Sequence, residues 1–354
     1  MILKTSVLFL KIITLFFLLS NYGISEDSNK LSSNHSRFST ISKNLSLQFP
    51  KDHGSHNQFK IEWWYLTAIL EDEYDNPLGL QWTLFRVALE PTFEKRNWDR
   101  SEIWMGNAAV TSKELHSFQE KIARGGVSQA GVTTSPFEAW IDDWNLSGDS
   151  WNNLTVSATG DNFKYALTLD AKGPLIKHGE NGRSVKSASG QASAYYSQPF
   201  FQARGWVEQN GKRNKVTGTA WADHEWSSQF MSDTQKGWDW FSLNFKTGEK
   251  IMLFRVREKN KAHFYSGTYI NADGSHRPIK ASEITLTPVE AKSNPSPYTN
   301  TWIIKIDSLD IHIRTEALNP LSEMETIYPY WEGPILFTGS HSGKGFLEMT
   351  GYSD

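Results

Sequence analysis

The chain contains no cysteine. That excludes disulfides, a thiol nucleophile, a cysteine-ligated metal and the lipid-bearing cysteine of a bacterial lipoprotein. An excess of one charge is also lacking, since 36 basic residues face 39 acidic ones with no basic stripe, so nucleic acid is not an expected partner. There is no Gly-rich phosphate loop, no Gly-x-Ser-x-Gly elbow and no His-Glu-x-x-His zinc motif. The apolar run Ile12 to Leu19 is too short to cross a bilayer comfortably. It follows Lys4 and Lys11 and precedes the small residues Gly23 and Ser25, so residues 1–25 are expected to be a signal peptide and the mature chain to be exported, periplasmic or secreted. Residues 26–45 are rich in Ser and Asn and are expected to be a flexible lead-in. The total of 354 residues exceeds what one core usually supports, which predicts two domains.

Aromatic residues are what the chain has in quantity, including 15 tryptophans. Three times a carboxylate is set directly among them, in Glu62-Trp63-Trp64-Tyr65, Asp223-His224-Glu225-Trp226 and Trp238-Asp239-Trp240. An ionisable group in apolar surroundings is costly unless paired, so such runs point to buried ion pairs or to a working site.

From Phe59 onward the pattern is short β-type runs between turn signals. Asn210-Gly211, Thr247-Gly248 and Asp273-Gly274 mark hairpins, because Asn-Gly and Asp-Gly supply the positive φ angles of tight turns. One segment, Lys113 to Arg124, reads as helix. The prediction is an all-β antiparallel protein. Ile61 to Leu70 is apolar on both faces, as when a sheet curls around an apolar interior and packs on a second domain; the economical form is a barrel with a lined cavity, and a solid β-sandwich is the other.

Period-two alternation points Glu62, Arg86 and Asp239 to the same side as their apolar neighbours. Glu62 and Arg86 on neighbouring strands would form a structural ion pair, with a catalytic role as the alternative. Asp239 has Arg255 as its one candidate partner in its own hairpin, and pairing and catalysis stay equally open for it. Asp223, His224 and Glu225 come where a strand runs out into a Ser-rich loop, and strand ends often deliver polar groups to a barrel mouth. His224 has the ordinary pKa closest to neutrality and is the candidate general acid or base, assisted by Glu225, Asp223 or Asp239. His53 and His56 could join His224 and Glu225 around zinc, but the spacing matches no established ligand pattern; neither metal nor cofactor is expected.

The motifs Phe49 to His56, Glu62 to Thr67, Trp221 to Trp226, Gly237 to Phe241, Tyr330 to Gly333 and Leu347 to Tyr352 together resemble the AttH family, whose superfamily includes the carotenoid 1,2-hydratases. The resemblance spans Phe49 to Tyr352 and implies two tandem lipocalin-like (calycin) β-barrels, over residues 46–232 and 233–354. It also implies an elongated hydrophobic, isoprenoid or lipid-like ligand, with Trp64, Tyr65, Trp226, Trp238, Trp240 and Trp331 as the candidate aromatic contacts. The hydratases' His-x-Trp maps onto His224 and Trp226, whereas Phe254 and Arg255 stand in the stretch where those enzymes carry Tyr-x-Asp. Two readings follow: an enzyme adding water by acid–base chemistry or hydrolysing its substrate, or a non-catalytic carrier of a lipid-like ligand, with envelope transport machinery as a further partner.

Overall fold

A computed structural model describes residues 38–91, 101–229, 231–289 and 297–352. The expected signal peptide and most of the lead-in lie outside the described residues. The first sheet is built from β1 (Ile61–Asp72), β2 (Pro77–Ala88), β3 (Glu102–Ser112), β4 (His116–Arg124), β5 (Ala130–Thr134), β6 (Phe137–Ile141), β7 (Trp144–Ser150), β8 (Asn153–Thr159), β9 (Phe163–Ala171), β10 (Ile176–Lys177), β11 (Arg183–Val185), β12 (Ala192–Gln209) and β13 (Lys212–Ser227). The second is built from β14 (Gln235–Phe245), β15 (Lys250–Glu258), β16 (Phe264–Ile270), β17 (His276–Ile279), β18 (Ile284–Pro288), β19 (Trp302–Ile306), β20 (Ile311–Ala317), β21 (Glu323–Met324), β22 (Tyr330–Gly339) and β23 (Gly343–Thr350). Each sheet curls into a nearly closed antiparallel barrel.

Turn chemistry sets the hairpins. Asn210 and Gly211 both have positive φ, 50° and 77°, which lets β12 turn directly into β13; Gly274, at φ 86°, does the same work between β16 and β17. The expected helix over Lys113 to Arg124 is corrected: His116–Arg124 is strand β4, paired antiparallel with β3. Its Lys, Glu, Gln and Ala residues favour helix locally, but Ser117 and Ala123 alternate inward against β3, and pairing overrides propensity.

Both barrels are filled by large side chains. The first holds Trp64, Trp82, Trp104, Trp144 and Tyr165, and the second holds Phe241, Trp302, Trp331, Leu347 and Met349, all buried. A third cluster lies between the barrels, where the outer faces of β1, β12 and β13 meet those of β14, β15 and β23 through Tyr65, Tyr195, Trp221, Trp240, Phe254 and Phe346. This explains why β1 is apolar on both faces: one faces the first barrel's interior and the other faces the second barrel. Gly79 on β2 permits the approach, since a Cβ there would meet the Pro334 ring at 2.5 to 3.0 Å.

Candidate functional site

The three acid-in-aromatic runs go to three different places. Glu62 lies inside the first barrel, directly across from Arg86 on β2, and its Oε2 accepts from Arg86 Nη2 at 3.0 Å and Nε at 3.2 Å. Its Oε1 meets His56 Nδ1 at 2.7 Å and His224 Nε2 at 2.9 Å. Burial opposes a charge on Glu62, but His56, His224 and Arg86 outweigh it and hold the carboxyl well below the usual range. Trp64 stacks on His224 at 4.6 Å and Trp226 on His56 at 3.7 Å, so both indoles belong to this interior.

His56 Nδ1, Glu62 Oε1 and His224 Nε2 lie within 4.8 Å of one another, close enough to share a cation. These atoms are already bonded to each other, and the Arg86 guanidinium occupies the second oxygen of Glu62, a poor setting for a dication. Glu225 cannot join that group, because it projects from the opposite face of β13.

Asp223 to Trp226 lie at the end of β13, as the strand-end reading expects. β13 continues to Ser227 and is paired on both sides at this point, with Tyr65 opposite Asp223 and Trp64 opposite His224 on β1, and Ser197 and Tyr196 in the matching places on β12. Alternation therefore separates neighbours: His224 enters the first barrel, while Asp223 and Glu225 face the second. Burial, countered in part by the Glu62 carboxylate, holds His224 below the usual histidine range.

Asp239 points into the second barrel, with Arg255 Nε donating to it at 2.7 Å and the Tyr352 hydroxyl at 2.6 Å. Trp331 also sits in that interior, its indole donating to the Pro320 carbonyl.

Between the barrels, four carboxylates share one apolar seam. Asp223 accepts from Trp221 Nε1 at 2.6 Å, from Tyr195 Oη at 2.9 Å and from Ser197 Oγ, which also meets His178 Nε2 at 2.6 Å. Glu225 is paired with Lys186 at 2.7 Å and accepts from Ser193. Glu348 accepts from Trp238 Nε1 at 2.6 Å, and Glu332 accepts from the Tyr65 hydroxyl. Trp240 donates to Tyr195 at 3.1 Å. Trp63, Trp238, Tyr330 and Glu348 retain partial exposure at the edge of the seam.

Burial is the largest influence on Asp223, Glu348 and Glu332, and it favours their neutral form. It raises Asp223 to about 7 against the pull of its hydrogen bonds, and raises Glu348 to about 7 with the negative charges of Asp223 and Glu225 adding to it. Glu332 is raised well above the ordinary carboxylate range by burial and by Glu348. Proton-bearing acids surrounded by indoles and phenols are thus a property of the seam and not of His224.

Glu332, Glu348 and Tyr195 were not among the residues expected from sequence. Tyr330-Trp331-Glu332 carries the same acid-in-aromatic signal as the other three runs, and Glu348 sits in the apolar run Phe346 to Met349; His178 has no such signal.

A family model described as AttH-like matches residues 40–352. The chain belongs to the AttH-like family. Its structure resembles the crystal structure of an AttH candidate from Nitrosomonas europaea, with a TM-score of 0.80 and 29% identity over 89% of this chain and 99% of that one. Kievitone hydratase from Nectria haematococca matches with a TM-score of 0.66 and 14% identity over 89% of this chain and 96% of that one. CghA, solved with Sch210972, matches with a TM-score of 0.51 and 10% identity over 83% and 88%. No curated protein matches. At these identities the last two show that the AttH-like chain shares their fold.

Proposed function

We propose that this AttH-like protein adds water to a carbon–carbon double bond of an apolar substrate bound at the seam between its barrels. The carrying observation is the pair Asp223, buried, and Glu348, partly exposed, two acids in one aromatic seam whose protons are held to about 7. Such a pair divides into one acid and one base near neutrality. The protonated carboxyl delivers its proton to one alkene carbon, leaving a cation on the other. Water attacks that carbon and gives a proton to the carboxylate partner, so the sum is substrate plus one water. Indole and phenol faces at Trp63, Trp238 and Tyr65 stabilise the cation, since ring quadrupoles attract positive charge in a dry site.

The test is incubation with isoprenoid and other terminal alkenes in ¹⁸O-labelled water, reading label in an alcohol product by mass spectrometry. Labelled alcohol from the parent, lost in both Asp223→Asn and Glu348→Gln, is expected, with turnover falling as pH rises through about 7. Unchanged labelling in both variants would sink the proposal.

A carrier without turnover is the second reading, favoured by one observation: Asp223 is already bonded by Tyr195, Trp221 and Ser197. Recovery of an unmodified apolar ligand, with no conversion on long incubation, decides for it. Export of the mature chain stays part of the proposal, supported by the leader-like residues 1–25. An amino terminus beginning near residue 26 in envelope fractions is expected, and an intact leader in the cytoplasm would contradict it.

A further inference from the structure

One fully buried histidine has no part in the chemistry so far. His178 follows β10, and its ring lies 4.2 Å from that of Tyr195. Both of its nitrogens are engaged. Nε2 meets Ser197 Oγ on β12 at 2.6 Å, and Nδ1 meets Thr268 Oγ1 on β16 at 2.9 Å. Ser197 Oγ in turn bonds Asp223. Thr268, His178, Ser197 and Asp223 thus form a buried file that begins on the second barrel and ends on a seam acid.

What each partner can donate fixes the direction of these bonds. Trp221 Nε1 only donates to Asp223. The Tyr195 hydroxyl accepts from Trp240 and spends its own proton on Asp223. A protonated Asp223 needs an acceptor for its O–H. Among the described residues bonded to it, Ser197 alone can accept that proton and place its own elsewhere, on a bare His178 Nε2. His178 then carries its proton on Nδ1 and donates to Thr268. With Asp223 as carboxylate every bond reverses: Thr268 donates to Nδ1, Nε2–H donates to Ser197, and Ser197 donates to Asp223. The two arrangements differ by one proton, that of Asp223, while Ser197, His178 and Thr268 hold one each in both. All three bonds survive the change.

The surroundings keep the ring neutral throughout. Burial, then Lys186 and His276, hold His178 well below the ordinary histidine range. The other charged groups around the file are Glu225, which pairs with Lys186, and Glu348, whose carboxyl feels Asp223.

We infer that His178 is a positioning residue for Asp223 that acts through Ser197, exchanging its two neutral tautomers as the carboxyl binds and releases a proton. The inference deepens the hydration reading and rests on it only for the catalytic meaning of Asp223. A buried acid that changes form in each turnover ordinarily strands a donor or an acceptor in one of its forms, and this file leaves neither stranded.

The test is nitrogen-15 NMR of the histidine-labelled full chain from about pH 5 to about pH 9, with long-range proton–nitrogen correlations that separate Nδ1–H from Nε2–H. The chain has 10 histidines, and the signals missing from His178→Gln identify this one. His178 is expected to bear Nδ1–H below about pH 7 and Nε2–H above it, with no charged ring at either end. The swap should vanish in Asp223→Asn and in Ser197→Ala and persist in Glu348→Gln. In Ser197→Ala the pH at which turnover declines should also rise, because Asp223 loses a bond that favours its charged form. A histidine that only fills space keeps one tautomer in the parent, and that result would overturn the inference. So would a swap that persists in Ser197→Ala, or a ring that becomes charged near neutrality. A swap in a protein that hydrates nothing would leave this inference standing and remove the catalytic reading; hydration with a fixed tautomer would do the reverse.

Discussion

Glu332 and Glu348 stand directly opposite one another on β22 and β23, facing the first barrel. Burial raises both carboxyls, and the charge of Glu348 adds to the rise at Glu332. The pair therefore holds protons that ordinary carboxylates have released by neutral pH.

This predicts how stability depends on pH. A raised folded-state pKa contributes stability that is fully present below the ordinary carboxylate range and is lost as pH rises through the folded value, about 7 for Glu348. The parent's melting temperature should fall between about pH 5 and about pH 8 more steeply than that of Glu348→Gln. Parallel melting curves for the two proteins would contradict the assignment.

Inside the first barrel the sign is opposite. Glu62 is held low, so its contribution is present above the ordinary carboxylate range and is lost on acidification. Arg86→Met leaves that carboxylate buried without its guanidinium partner and should cost about 3–5 kcal/mol in denaturant unfolding at neutral pH. A loss below about 1 kcal/mol would mean that the two histidines alone satisfy it.

His224 provides a further contrast. His224→Gln removes a bond to Glu62 and should destabilise the fold by about 1–3 kcal/mol, while leaving the pH at which turnover declines unchanged. A shift of that decline would bring His224 into the chemistry.

The two barrels meet closely enough at Gly79 for a side chain to matter. Gly79→Val sets two methyls into the Pro334 ring and should loosen the seam, seen as faster proteolysis and altered tryptophan fluorescence with each barrel's β-sheet signal kept. Unchanged proteolysis would show that Pro334 yields.

These residues also show what the sequence makes legible. Glu62 facing Arg86 follows from alternation and one short hairpin, both local. The Asn210-Gly211 turn is equally local, because its φ angles are a property of two residues. The strand nature of β4 is not: helix-favouring side chains conceal a segment whose conformation is set by pairing with β3. The run Asp223 to Trp226 misleads for a related reason. Adjacency in sequence suggests one site, yet alternation sends His224 to Glu62 and sends Asp223 to a seam it shares with Glu348, 125 positions later (348 less 223). No window of sequence contains that seam, which exists only when two barrels pack.

The central claim is that Asp223 and Glu348 hold protons near neutrality, and infrared spectroscopy of the protonated carboxyl C=O band reads this directly. Followed from about pH 5 to about pH 9, the parent should keep the band to about pH 7 and lose the Asp223 and Glu348 part of it above, with that intensity missing in Asp223→Asn and in Glu348→Gln. Disappearance of the whole band by about pH 5 would show the seam acids to be ordinary paired carboxylates, and the acid–base account would fail with it.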